Sequence, residues 1–163
     1  MIEHLLWVTS LAETEAIAAQ LAEQMPREQP AVLLLYGDLG SGKTAFVQAL
    51  GNALGITEPI TSPTFALIQE YPDGCIPLYH VDLYRLEPEQ VPALHLELYW
   101  QGGEILPGVV AIEWAERLTA LPPEFLKVEL SVMGDRRCLC FSSGAPRWHH
   151  LHLTPPDPAN GGP

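Results

Sequence analysis

The sequence predicts an α/β fold in one domain, a mixed central β-sheet flanked by helices. Three observations carry this reading. Residues 31–36, AVLLLY, are a continuous apolar run, the pattern of a strand buried on both faces. A glycine-rich turn follows and opens an amphipathic helix, giving a strand–turn–helix unit. Further on, two pairs of short strand-like segments are each joined by a turn, and hairpins combined with βα units imply a mixed sheet.

Ser10 and Glu13 have capping-box spacing, and Leu11, Ala18, Leu21 and Ala22 follow at helical spacing. They predict a first helix over about 10–25, stopped before Pro26. After the buried strand and its turn, a second helix runs over about 43–54, with Phe46, Leu50 and Leu54 on one stripe and Gly55 as its C-terminal cap. Residues 56–64, ITEPITSPT, read as a loop. Residues 66–71 and 76–82 read as strands of a hairpin turning at Pro72-Asp73-Gly74. The stretch 87–99 leans to helix despite Pro88 and Pro92. Residues 109–113 form another apolar strand, ending in Glu113 before Trp114. Residues 127–133 and 137–141 pair around Gly134-Asp135. From Ser142 the chain is rich in Pro, Gly and His, which predicts a domain over 1–149 and a disordered tail over 150–163.

Composition sets bounds. A chain of 163 residues, 47% of them apolar, suits one domain with one real core. No apolar run approaches the roughly 20 residues of a membrane span. The acidic, short start Met1-Ile2-Glu3-His4 does not read as a signal peptide, so the expected location is the cytoplasm. The net charge is −12, and of the basic residues only Arg136 and Arg137 adjoin. That argues against autonomous binding of DNA or RNA and for docking on a basic partner. Cys75, Cys138 and Cys140 lack metal-site spacing and read as small buried hydrophobes. His149, His150 and His152 read as part of a solvated tail.

The chemistry concentrates at Gly37-Asp38-Leu39-Gly40-Ser41-Gly42-Lys43-Thr44, which is G-x-x-x-x-G-K-T. The glycines let backbone N–H groups curl around phosphate oxygens, and the positive end of the following helix faces them. Lys43 supplies a point charge to the β- and γ-phosphates, and the Thr44 hydroxyl is a hard ligand for Mg2+. With a buried strand before it and a helix after it, this is a P-loop, and the fold class is P-loop NTPase-like. Such a loop needs an acid across the metal. The candidates are Glu113, which closes an apolar strand, and Asp82, which shares a strand face with His80 and Tyr84. One would hold Mg2+ and the other orient the attacking water, in either assignment. Thr61-Ser62-Pro63-Thr64 stands where P-loop switches supply a γ-phosphate-sensing hydroxyl.

The run GDLGSGKT, SPTF at 62–65, HVDLYRL at 80–86 and IEWAERL at 112–118 together resemble the TsaE (YjeE) family over about residues 1–141. The resemblance implies an ATPase that supports threonylcarbamoyladenosine formation in tRNA beside a TsaD–TsaB protein pair, with tRNA met only through those partners and no membrane involved. It implies ATP and Mg2+ as cofactors. It implies Lys43, Asp82 and Glu113 as catalytic residues, with Thr44, Glu113 and Asp82 around the metal. Nucleotide contacts would come from Asp38, Leu39, Gly40, Ser41, Gly42, Lys43, Thr44 and Ala45, with Thr64 as the switch hydroxyl. By the same resemblance Thr9 and Ser10 would meet the base, and Gly134 and Arg137 would close over the nucleotide. The chain departs from the family at Ala93-Leu94-His95-Leu96, where members often read Glu-Leu-Gly-Leu. Two other readings of the same P-loop are a small-molecule kinase and a non-catalytic adaptor gated by nucleotide.

Overall fold

The apolar run Ala31–Tyr36 (β2) is the middle strand of a seven-stranded sheet. It belongs there because it has no polar face to give to water, and residues Ala31 to Leu35 are all buried. The computed structural model describes residues 1–156. The other elements are β1 (Ile2–Val8), α1 (Leu11–Glu23), α2 (Lys43–Ala53), β3 (Ile68–Tyr71), β4 (Leu78–Asp82), β5 (Val109–Glu113), β6 (Leu126–Met133) and β7 (Arg136–Ser143). Short 3-10 turns cover Pro88–Leu94, Leu96–Tyr99, Ala115–Arg117 and Pro146–Trp148.

The strand order is β1-β7-β6-β2-β5-β4-β3. Strand β2 pairs in parallel with β5 and β6, and β5 with β4. The β3–β4, β6–β7 and β1–β7 pairs are antiparallel. The sheet is therefore mixed, as the sequence predicts. Helices α1 and α2 pack together on one face, where Ile17, Leu21, Phe46 and Leu50 meet Leu33, Leu35 and Phe141. On the opposite face Val32, Leu34, Val81, Val110 and Ile112 meet Val91, Leu96 and Ala115 from the 3-10 turns. Alternate residues of β2 thus serve two cores.

The predicted helix over 87–99 is two 3-10 turns. Pro92 inside the segment lacks the N–H an α-helix would need, and His95 sits at φ 50° between the two turns. Strand β1 is an element the sequence reading did not predict. Its inward set Leu6 and Val8 and its outward set Leu5 and Trp7 are both apolar, so the alternation is blurred.

The disordered tail predicted from residue 150 is corrected up to residue 156. Leu151 and Leu153 are buried in the main core. Gln24 pairs with both the N–H and the carbonyl of His152 at 2.9 Å, and Gln20 accepts from the Thr154 N–H at 2.9 Å. Residues 157–163, the rest of that predicted tail, lie outside the described residues. Of the cysteines, Cys138 is buried and Cys140 half-buried, whereas Cys75 is exposed, against the expectation of a buried thiol.

Candidate functional site

At the C-terminal edge of the sheet β2 ends in the loop that leads into α2. Gly37, Gly40 and Gly42 in this loop have φ values of 142°, 79° and 106°. These are left-handed conformations that a side chain resists. A Cβ on Gly37 would also stand 2.3 Å from the Leu130 carbonyl oxygen, so the loop presses directly on β6.

The two helices start differently. Helix α1 is capped by its own side chains: Ser10 Oγ accepts from the Glu13 N–H at 3.2 Å. The Glu13 carboxylate turns back to the Thr9 N–H rather than to that of Ser10. Helix α2 begins at Gly42 with no side-chain cap. Its first-turn amides carry the positive end of the helix dipole without a side-chain acceptor, the arrangement that receives an anion.

Lys43 is buried, and its ammonium donates to the carbonyls of Gly37 and Asp38, the latter at 3.0 Å. It also lies 4.2 Å from the centroid of the Trp114 ring. Burial pushes the Lys43 ammonium below the usual lysine range, while Glu113, Glu116, Asp82 and Asp38 pull it back up.

Strands β4 and β5 end side by side, with Asp82 opposite Glu113 in the parallel register. Glu113 accepts from the Thr44 hydroxyl at 2.9 and 3.0 Å, which brings the first turn of α2 to the end of β5. Asp82 accepts from the Thr64 hydroxyl at 2.8 Å and from the Tyr84 N–H at 2.9 Å. Thr64 also shares a 2.7 Å hydrogen bond with Ser62. The 61–64 loop is thereby tied to the same carboxylate pair.

These groups surround an open cavity of about 290 Å³ lined by Leu39, Gly40, Gly42, Lys43, Thr44, Ala45, Ser62, Thr64, Asp82, Tyr84, Glu113 and Trp114. Most of the site residues read from the sequence thus share one cavity. Arg137 overlies the loop from β7, with side-chain atoms 3.6 Å from where a Gly42 Cβ would be. Ser41 in the loop is buried, and its hydroxyl has no hydrogen-bond partner among the described residues. Thr9, Ser10, Asp38, Ser41, Gly134 and Arg137 do not line the cavity.

Tyr84, which lines the cavity, Trp114 and His80 belong to this constellation but were not among the expected site residues. Trp114 follows Glu113 and adopts φ 58°, which turns its ring under the Lys43 ammonium. His80 is fully buried, with Nε2 2.7 Å from Glu113 Oε1. Its even spacing from Asp82 was the available signal.

A Thr44 hydroxyl beside a carboxylate, with a second carboxylate next to it, is an all-oxygen donor set that fits a small hard cation such as Mg2+. Among the described residues no cluster of three or more His, Cys, Asp or Glu side chains is placed to hold a metal, and a site completed by phosphate oxygens does not need one.

The fold and this cavity define a single-domain α/β protein of the P-loop NTPase-like class. A family model described as threonylcarbamoyl adenosine biosynthesis protein TsaE matches residues 8–138, and the chain belongs to that family. The tRNA threonylcarbamoyladenosine biosynthesis protein TsaE of Nostoc sp. is 62% identical over 100 residues, which is 61% of this chain and 62% of that one. The protein of the same description from Bacillus subtilis is 38% identical over 152 residues, 92% of each chain. Among solved structures, the crystal structure of Bacillus subtilis YdiB superposes with a TM-score of 0.74 at 34% identity, covering 92% of this chain and 91% of that one.

Proposed function

We propose that this chain binds and hydrolyses Mg-ATP in the cavity above α2, as the nucleotide-driven subunit of tRNA threonylcarbamoyladenosine biosynthesis. The observation that carries the reading is the uncapped start of α2, carrying Lys43 and Thr44, which lines one cavity together with Asp82 and Glu113. The amides of residues 40–45 and the Lys43 ammonium would bind the polyphosphate. Thr44 and Glu113 would hold Mg2+, with Asp82 beside them. Bound Mg2+ neutralises charge that develops on the phosphates. Asp82 would orient the attacking water, and its hydrogen bond to Thr64 would make the 61–64 loop responsive to what occupies the cavity. Lys43 must leave the Gly37 and Asp38 carbonyls to meet an anion, so its present contacts keep a buried ammonium solvated by the loop itself.

The net charge of −12 supports a division of labour in which tRNA is held by partners of the TsaD–TsaB type. The expected setting is the cytoplasm; among the described residues no helix is long and apolar enough to cross a membrane.

Calorimetric titration with Mg-ATP tests the reading. Wild type binds, and Lys43→Ala loses most of its triphosphate affinity. Equal affinity in the two proteins would remove the proposal. Phosphate release without any acceptor favours the ATPase, whereas transfer of label to a small acceptor would favour a kinase.

A further inference from the structure

Glu113 is 2% exposed, and its Oε1 meets two partners: the Thr44 hydroxyl at 2.9 Å and His80 Nε2 at 2.7 Å. Thr44 and Glu113 line the cavity, but His80 does not; it stands behind the carboxylate, fully buried in β4. We infer that His80 is a positioning residue of the magnesium-nucleotide site, holding Glu113 Oε1 from behind so that the carboxylate faces Thr44 and the cavity. The inference rests on the Mg-nucleotide reading of that cavity.

Three observations carry it. First, core packing does not call for an imidazole here. Leu78, two residues earlier on the same face of β4, is a fully buried leucine in the main core, and an apolar residue would continue that pattern. Second, the neighbouring strand makes room for the ring. Ala111 is the parallel partner of His80, and its small side chain lies one step before Glu113 on the same face of β5. Third, the ring's hydrogen bonding is one-sided. Among the described residues, Nδ1 is buried without a partner, and the side chain's one hydrogen bond goes to Glu113. An ionised carboxylate only accepts, so the proton in the 2.7 Å contact belongs to Nε2.

A carboxylate beside a metal keeps its orientation through hydrogen bonds from groups that never touch the ion, and losing such a partner weakens metal binding by about 10- to 100-fold. His80 has that relation to Glu113. It does not line the cavity, so its removal is expected to act on the cation's contribution to binding and not on phosphate capture by the loop.

The test titrates the full chain with a non-hydrolysable ATP analogue, with and without Mg2+, in wild type, His80→Leu and His80→Gln. The expected result is that His80→Leu cuts the affinity gain due to Mg2+ by about 10-fold or more, leaves metal-free affinity unchanged, and melts as a folded protein. His80→Gln, whose amide can place a donor near Nε2, restores the gain. A wild-type Mg2+ gain in His80→Leu, or no recovery in His80→Gln, overturns the inference alone. Absence of any Mg2+ gain in wild type overturns it together with the Mg-nucleotide reading. Should His80→Leu not fold, nitrogen NMR of the wild-type imidazole decides: a proton on Nε2 is expected, and a bare Nε2 overturns the inference.

Discussion

The Thr44 hydroxyl donates to both oxygens of Glu113, at 2.9 and 3.0 Å, and so joins the first turn of α2 to the end of β5 across 69 residues of chain. A hydroxyl between an uncapped helix start and a buried carboxylate is suited to serve a cation. Thr44→Val keeps the shape and removes the hydroxyl. A hydrogen bond to a charged group contributes about 1.5–3 kcal/mol, so Mg-dependent nucleotide affinity is expected to fall about 10- to 100-fold. Calorimetry with and without Mg2+ checks this, and an unchanged response to the cation would exclude Thr44 from the metal site.

Asp82 holds the 61–64 loop through Thr64 and the start of the following turn through the Tyr84 N–H. Asp82→Ala frees the first and leaves the second without its acceptor. Amide hydrogen exchange over residues 61–67 is expected to quicken in Asp82→Ala and, more narrowly, in Thr64→Ala. Exchange at the wild-type rate in both would show that the loop is held by other contacts.

Gly37 and Gly40 both have positive φ but differ in their surroundings. A Cβ at Gly37 would strike the Leu130 carbonyl oxygen at 2.3 Å, while one at Gly40 meets nothing within 4 Å. Gly40→Ala should therefore cost only the backbone strain of about 1–2 kcal/mol. Gly37→Ala should cost that strain and a further about 1–3 kcal/mol of overpacking. Thermal or urea melts of the two variants test the order. A Gly37→Ala protein as stable as Gly40→Ala would mean that the loop can lift off β6.

The cysteines should separate by reactivity. Burial pushes the Cys138 thiol up, and the nearby Glu129 adds to this. At a mildly alkaline pH a raised pKa leaves a smaller thiolate fraction, so Cys138 alkylates slowly. Burial likewise raises the Cys140 thiol, with Glu3 adding to it. Cys75 is exposed and should be modified first. Peptide mapping by mass spectrometry reads the order, which should vanish in denaturant. Early modification of Cys138 in folded protein would contradict its burial.

The segment after residue 150 should matter for stability. Leu151 and Leu153 are each 4% exposed, and truncating a buried leucine to alanine costs about 2–5 kcal/mol. Leu151→Ala and Leu153→Ala are expected to lower the melting temperature, as is ending the chain at 149. A shortened chain that melts like the full one would restore 1–149 as the whole folded unit.

The strand–loop–helix core was legible because local rules are enough for it. β2 and β5 are buried on both faces, so their apolar runs have one reading, and their observed limits, Ala31–Tyr36 and Val109–Glu113, are those read from the sequence. The glycine-rich loop between β2 and α2 was legible as a tight turn for a similar reason, since its glycines take left-handed positions before a helix start. Pairings that join distant parts of the chain were not. β1 carries apolar residues on both faces, and only its register with β7 selects Leu6 and Val8 as the buried set. The end of the chain looks like a polar tail until Gln20 and Gln24 on α1 supply its backbone with partners and the core supplies a place for Leu151 and Leu153. His80 alone in sequence is one polar residue in a strand. Its meaning comes from the parallel register that sets Ala111 beside it and Glu113 one step ahead. Sequence determined which local conformations and charges were available here. Tertiary structure decided which side chains share a face and a hydrogen bond, because those contacts depend on strand order and register that no local pattern encodes.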